Sequence, residues 1–215
     1  MPFSAKEKAG APGQAAAISP EGAEQRAARR YTPLMRTAKI TGASGEFLCV
    51  VSDISATGVS VRLFHPLPRG AALKLEMPNG DRLPIEMVWE RDSKAGFRFA
   101  TPVDLAHVLS GHSQWPKRPI RLNLDMPVTL VGLTGRFAAT LRNISLQGAQ
   151  IECAERLAID QRLRLSNKVL PEIVTKVRWR KDNSYGLVFD TTFQFAELAR
   201  LAASAQGAAS GNLSA

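Results

Sequence analysis

From Met35 onward the chain reads as a series of short runs in which apolar and polar residues alternate at a period of two. MRTAKIT comes first, then EFLCVVSDI, then TGVSVRLF, where Val59, Val61 and Leu63 alternate with Ser60 and Arg62 as in a half-buried strand. AALKLEM and DRLPIEMVWE follow, joined through Pro78-Asn79-Gly80, and Asn-Gly is a strong hairpin signal because both residues accept the positive φ of a tight turn. GFRFA completes a set of six predicted strands. The period then changes: in PVDLAHVLSGH, Val103, Leu105, Val108 and Leu109 can line one side of a helix, and Gly111 limits its length. Before this set, residues 1–23 are rich in Ala, Gly, Pro, Ser and Gln without periodicity and are expected to be a disordered lead-in.

The same pattern occurs twice. Shifted by 90 residues, GEFLCVVSDISATG (45–58) lies over GRFAATLRNISLQG (135–148), so that Gly45 meets Gly135, Phe47 meets Phe137, Ser55 meets Ser145, Gly58 meets Gly148 and Asp53 meets Asn143. Leu67, Leu73 and Leu75 then meet Leu157, Leu163 and Leu165, and Trp89, Gly96 and Phe99 meet Trp179, Gly186 and Phe189. So many coincidences at one offset identify a tandem duplication of a β-rich module of roughly 90 residues. At the arginine end the offset is 91, Arg30 over Arg121, which places a one-residue length difference in or after the first strand. The expected fold is therefore mainly β: two tandem six-stranded antiparallel barrels, each followed by a short helix. The first module is expected over 24–114 and the second over 115–206. A second helix is expected from about Phe193 to Ala203, and residues 207–215 are expected to be a disordered tail.

Composition narrows the chemistry. With 215 residues and 45% hydrophobic content, two small modules can each bury a core. No run of about 18 apolar residues exists to cross a membrane, and the N-terminus has no apolar signal core after a basic start, so the expected location is the cytoplasm. Cys49 and Cys153 fall among apolar strand residues and read as small core residues. His65, His107 and His112 have no metal-ligand spacing, so no metal or other cofactor is expected. The formal charge of +9 favours anionic partners without choosing among them.

The candidate chemistry lies between Arg26 and Gly58. RAARR supplies Arg26, Arg29 and Arg30, and DISATG supplies Asp53, Ser55 and Gly58 after one strand and most of a second. Planar arginine forks beside polar acceptors on a sheet suit an anion that carries a readable base edge. Taken singly, RAARR is a solvated charge run, and DISATG is a turn in which Asp and Ser bond local backbone and Gly supplies φ > 0. Trp89 and Trp179 read as core or barrel-end packing rather than stacking platforms.

The ordered combination of RxxxR (Arg26, Arg30), [DN]xSxxG (Asp53, Ser55, Gly58), a Trp strand and a GxxF strand resembles the PilZ domain, the bacterial cyclic di-GMP receptor module. The resemblance covers about residues 24–190 and implies two six-stranded barrels with terminal helices. It further implies that the arginines hold phosphates and guanine edges of cyclic di-GMP, while Asp53, Ser55 and Gly58 contact a guanine. The chemistry is apt: an arginine fork bonds guanine O6 and N7 or phosphate oxygens, Asp53 accepts from guanine N1 and N2, and Gly58 leaves room for a planar base. The second copy departs from the motif. Lys117 stands where Arg26 would align, Arg118 and Arg121 are one residue too close, and Asn143, Ser145 and Gly148 form the turn. Lysine keeps the charge but loses the fork, and Asn offers one acceptor oxygen where Asp offers two, so this copy is expected to bind weakly or to serve as a partner surface.

Three function classes follow. The first is a non-enzymatic cyclic di-GMP receptor acting on a protein target in motility, polysaccharide synthesis or a related pathway. The second is a degenerate tandem used as a protein-interaction adaptor. The third is a nucleic-acid-binding barrel, disfavoured because the basic residues are not interleaved with aromatics. No P-loop, GxGxxG, GxSxG or paired catalytic carboxylate motif points to an enzyme. Without ligand, Arg26, Arg29, Arg30 and Arg36 are expected to repel one another and keep the lead-in mobile.

Overall fold

The computed structural model describes residues 36–68, 72–110 and 119–211. The expected lead-in, the arginine cluster, Lys117 and Arg118 lie outside the described residues. The first module comprises β1 (Arg36–Gly42), β2 (Gly45–Ile54), β3 (Gly58–Arg62), β4 (Leu73–Glu76), β5 (Arg82–Arg91) and β6 (Lys94–Phe99), closed in the order β1-β2-β3-β6-β5-β4. Helix α1 (Leu105–Ser110) follows. The second comprises β7 (Leu122–Gly132), β8 (Gly135–Ile144), β9 (Gly148–Cys153), β10 (Arg162–Ser166), β11 (Ile173–Lys181) and β12 (Ser184–Phe189), closed in the equivalent order β7-β8-β9-β12-β11-β10. Helix α2 (Phe195–Gly211) follows. The two antiparallel barrels are thus those expected from the repeat.

Alternation accounts for the closure. In β3 the side chains of Val59 and Val61 are buried while Ser60 and Arg62 face outward, and β4 repeats this with Leu73 and Leu75 against Lys74. The inward set, including Ala38, Ile40, Phe47, Cys49, Val51, Leu75, Phe97 and Phe99, fills the first core. The expected apolar face of α1 is in place: Val108 is buried, and Val103, Leu105 and Leu109 pack against the same core. The Asn79-Gly80 hairpin forms as expected, with Gly80 at φ 93° and its N–H donated to the Met77 carbonyl. Cys49 and Cys153 are free and buried, and burial pushes the Cys49 thiol well above its ordinary range, which keeps it inert.

The duplication extends to the irregularities. The β2/β3 bulge between Val51 and Asp53 recurs between Leu141 and Asn143, and the β5/β6 bulge between Met87 and Trp89 recurs between Val177 and Trp179. Arg36 pairs with Val51 as Met126 pairs with Leu141, so the 90-residue offset already holds at Arg36. The one-residue difference therefore precedes Arg36 in the first module, and in the second it falls within β7, the module's first strand, at the bulge between Asn123 and Met126. Helix α2 also differs from expectation: it starts at Phe195 and continues through the stretch from Gly207 that was expected to be tail. The run AASAQGAASG is rich in Ala, and one interior Gly costs only about 1 kcal/mol, so the helix does not stop there.

What carries α2 onward is contact with the other barrel. Gln206 on α2 accepts from the Glu46 N–H (2.5 Å) and donates to the Glu46 carbonyl (2.8 Å), gripping the exposed edge of β2. Gly45 makes this possible, since a Cβ there would meet Gln206 Oε1 at 1.8 Å and its φ is +127°. Leu48 of β2 belongs to the core of the second barrel, and Phe64 stacks edge-on with Phe195, 5.6 Å between centroids. At the centre of this junction is Lys39, 5% exposed, whose ammonium donates to Glu46 Oε2 (3.0 Å), lies 3.3 Å from Glu76 Oε1 and donates to the Arg121 carbonyl (3.2 Å). Glu46 in turn accepts from the Asn123 backbone N–H (2.7 Å) and side-chain amide (2.8 Å).

Removing Lys39 takes from Glu46 and Glu76, both largely buried, the ammonium they share, although Asn123 and Arg82 still bond them, so Lys39→Ala is expected to destabilise the protein by roughly 3 kcal/mol. Arg98→Ala, which breaks an ion pair whose side chains are 66% and 70% exposed, should leave stability nearly unchanged. Chemical denaturation of both variants measures the contrast.

Candidate functional site

The bulge near the end of β2 brings Asp53 to the edge of a pocket of about 380 Å³ lined by residues of β2, β3, β5 and β6 of the first barrel. Ser52, Asp53, Ser55, Thr57, Gly58 and Ser60 form its polar side, and Val88, Trp89, Lys94, Gly96 and Phe97 from β5 and β6 form the other. Asp53 Oδ2 accepts from Ser60 Oγ at 3.0 Å. Ser55, 7% exposed, closes the turn: its backbone N–H donates to the Gly58 carbonyl (2.8 Å), and its hydroxyl oxygen accepts from the Gly58 N–H (3.1 Å). Three of the expected site residues, Asp53, Ser55 and Gly58, thus share one pocket.

Their local roles differ from the sequence reading in two respects. The turn does use Ser55 to bond local backbone, but Gly58 is not needed for a positive φ. A Cβ at Gly58 would sit 2.7 Å from the Phe97 carbonyl oxygen, and one at Gly148 would sit 2.2 Å from that of Leu187. These glycines let β3 and β9 lie directly on the neighbouring strands, a constraint internal to the barrel. The tryptophans were read as core or end packing, and here the structure corrects the reading. Trp89 is 45% exposed and Trp179 40% exposed, and each indole covers a glycine on the next strand, where a Cβ would meet Nε1 at 2.0 Å (Gly96) or 1.9 Å (Gly186). Trp89 therefore belongs to the pocket wall. The signal for this was present as the paired Trp and Gly at one offset, but linear sequence does not show that the two lie on adjacent strands.

In the second module the two halves of the motif meet. Arg121 Nη1 donates to Asn143 Oδ1 at 3.3 Å, and Asn143 Nδ2 donates to Gln150 Oε1 at 2.8 Å. Ser145 repeats the turn of Ser55, its N–H donating to the Gly148 carbonyl at 2.8 Å. Arg142 replaces Ser52 and is clamped by Glu152 (2.6 Å) and Asp125 (2.5 Å), hydrogen bonds that hold its proton still more firmly than usual. Arg36, grouped in the sequence reading with the mobile charges, is instead tied by both guanidinium nitrogens to the carbonyls of Val108 and Leu109 at the end of α1, Nη1 to Val108 at 3.2 Å. Among the described residues no group of three His, Cys, Asp or Glu could hold a metal, and no helix is long and apolar enough to cross a membrane.

Two closed barrels, each carrying a serine–glycine turn and a tryptophan over a glycine, define a tandem β-barrel protein with a polar pocket on the first barrel. The chain belongs to the PilZ domain family, whose sequence model matches residues 24–110 and 117–205. Solved structures similar to it include PlzA of Borreliella burgdorferi in complex with c-di-GMP, with 12% identity over 84% of this chain and 95% of that one at a TM-score of 0.33. YcgR of Escherichia coli in complex with c-di-GMP shares 11% identity over 84% of this chain and 88% of that one, at a TM-score of 0.33. The Bacillus subtilis inhibitor of motility, MotI/DgrA, shares 12% over 83% and 97%, also at 0.33. Among curated proteins none matches the chain.

Because the Trp89 indole occupies the space above Gly96, Gly96→Ala should displace it and shift tryptophan emission. Gly207→Ala, where a Cβ meets nothing within 4 Å, should leave the spectrum unchanged.

Proposed function

We propose that the chain is a cytoplasmic, non-enzymatic receptor for cyclic di-GMP, with the ligand held mainly by the first module through Arg26, Arg29 and Arg30 together with Asp53, Ser55 and Gly58. The observation that carries this reading is the 3.3 Å contact between Arg121 and Asn143, which joins the lead-in arginine to the polar turn in the copy where both are described. By the repeat, Arg30 corresponds to Arg121 and Asp53 to Asn143, so the same approach in the first module would set an arginine fork beside a carboxylate that lines the pocket. Family membership supports the same ligand class, and c-di-GMP is the molecule named with PlzA and YcgR.

The chemistry follows from the parts. Asp53 accepts from guanine N1 and N2, the arginines bond guanine O6 and N7 or the phosphates, and the half-exposed indole of Trp89 offers an apolar face to the base. A signal leaves the site when the arginine segment orders on a ligand carrying two negative charges, changing contacts between the modules or with a protein target in motility, polysaccharide synthesis or a related pathway. A second reading, a protein-interaction adaptor without nucleotide binding, draws on the second module, where Asn143 is already engaged by Arg121 and Gln150. An intact fold that gives no heat on titration with cyclic di-GMP selects it.

Arg30→Ala is expected to weaken binding by about 10- to 150-fold, the worth of a charge-assisted hydrogen bond of roughly 1.5 to 3 kcal/mol. An unchanged calorimetric titration would refute the assignment. In hydrogen exchange, cyclic di-GMP should bring strong new protection to residues 26–31 and little around Lys117. Equal protection at both stretches would mean that the two lead-ins respond alike.

A further inference from the structure

Around the pocket of the first barrel and the corresponding surface of the second, positive charge lies on different strands. In the first, Lys94 of β6 lines the pocket, and the bulged residue beside Trp89 is the neutral Val88. In the second, Ser184 takes the place of Lys94, and the bulged residue beside Trp179 is Arg178. The registers are identical, Trp89 opposite Gly96 and Trp179 opposite Gly186, so Arg178 occupies the wall position that Val88 holds. A bulge re-aims its extra side chain away from the ladder, and it is here that the charge has been introduced.

Among the described residues nothing neutralises this charge. Arg178 is exposed and enters no ion pair among the described residues, whereas Arg142, Arg162, Arg164 and Lys176 each face a carboxylate. Around it the strand has changed sign: Glu86 and Glu90 of β5 correspond to Lys176 and Arg180 of β11, which raises the local positive potential. The second module lacks the planar fork at Lys117 but retains Asn143, Ser145, Gly148 and a half-exposed indole.

We propose that Arg178 is the cationic ligand contact of the second module, binding a phosphate-bearing nucleotide of the same class on the surface that corresponds to the first module's pocket and replacing the arginine missing from its lead-in. The proposal rests on the receptor reading above and adds a second, differently built site to it. A guanidinium on a strand needs no ordering of the chain to reach the ligand, so this site binds without the segment transition of the first.

The test uses the full chain carrying Arg30→Ala and Asp53→Ala, which disable the first site, titrated calorimetrically with cyclic di-GMP. A residual binding event is expected. Adding Arg178→Val, the first module's own residue, should weaken it tenfold or more, and Arg178→Lys should fall between the two. Circular dichroism melts establish that each variant is folded. Residual binding indifferent to Arg178→Val overturns the proposal, and so does the absence of residual binding when the parent chain binds, an outcome that leaves the first site standing. A parent chain that binds no cyclic di-GMP overturns the receptor reading and this inference together.

Discussion

Each barrel depends on one close approach of main chain to main chain. β3 lies so near β6 that no side chain fits between them, and the carbonyl of Phe97 fills the space that a Cβ on Gly58 would need. The same holds for Gly148 and Leu187 in the second copy. A six-stranded sheet closes only if every strand is paired on both sides, and this contact is one of the two seams where the first three strands of each module meet the last three. It also fixes the corner that follows the β2 bulge, and with it the position of Asp53 and Ser55. The glycine that looks like a ligand residue is therefore first a condition for having a pocket.

Much of this was legible in the sequence because a duplication repeats its own constraints. Glycines and tryptophans recurring at one offset, together with a period-two pattern, specify strands, their number and two closed modules. What stayed hidden depends on long-range proximity. Nothing near Lys39 in the chain announces that it meets the carbonyl of Arg121, 82 residues away, or that Glu46 holds Asn123, 77 residues away. Trp89 was misjudged because a tryptophan over a glycine looks, in one dimension, like any core aromatic. The continuation of α2 was missed because propensity alone leaves an Ala- and Gly-containing end undecided, and Gln206 settles it through a contact 160 residues distant.

The junction and the pockets are also linked through the backbone. Lys39 holds the Arg121 carbonyl and Glu46 holds the Asn123 N–H, so the first barrel fixes the main chain on both sides of Leu122, which is itself fully buried. The guanidinium that reaches Asn143 thus springs from a stretch anchored by the other module. A change in how the barrels pack would be felt at the second turn, and a ligand there would be felt at the junction, because coupling between two sites is reciprocal.

The barrels join through unlike faces: the β1–β2 end of one receives the terminal helix of the other. Such head-to-tail contacts, unlike two-fold ones, do not close on themselves, and a module that kept both faces could add copies into a filament. The second barrel has surrendered its receiving face. Lys39, Glu46, Leu48 and Phe64 correspond there to Thr129, Arg136, Ala138 and Ala154, so both the apolar knobs and the acidic grip are gone, although Gly135 still leaves open the notch that Gln206 fills beside Gly45. The second half thus keeps the helix that couples and has lost the face that receives one, so this particular contact joins the two barrels and cannot be repeated on the second.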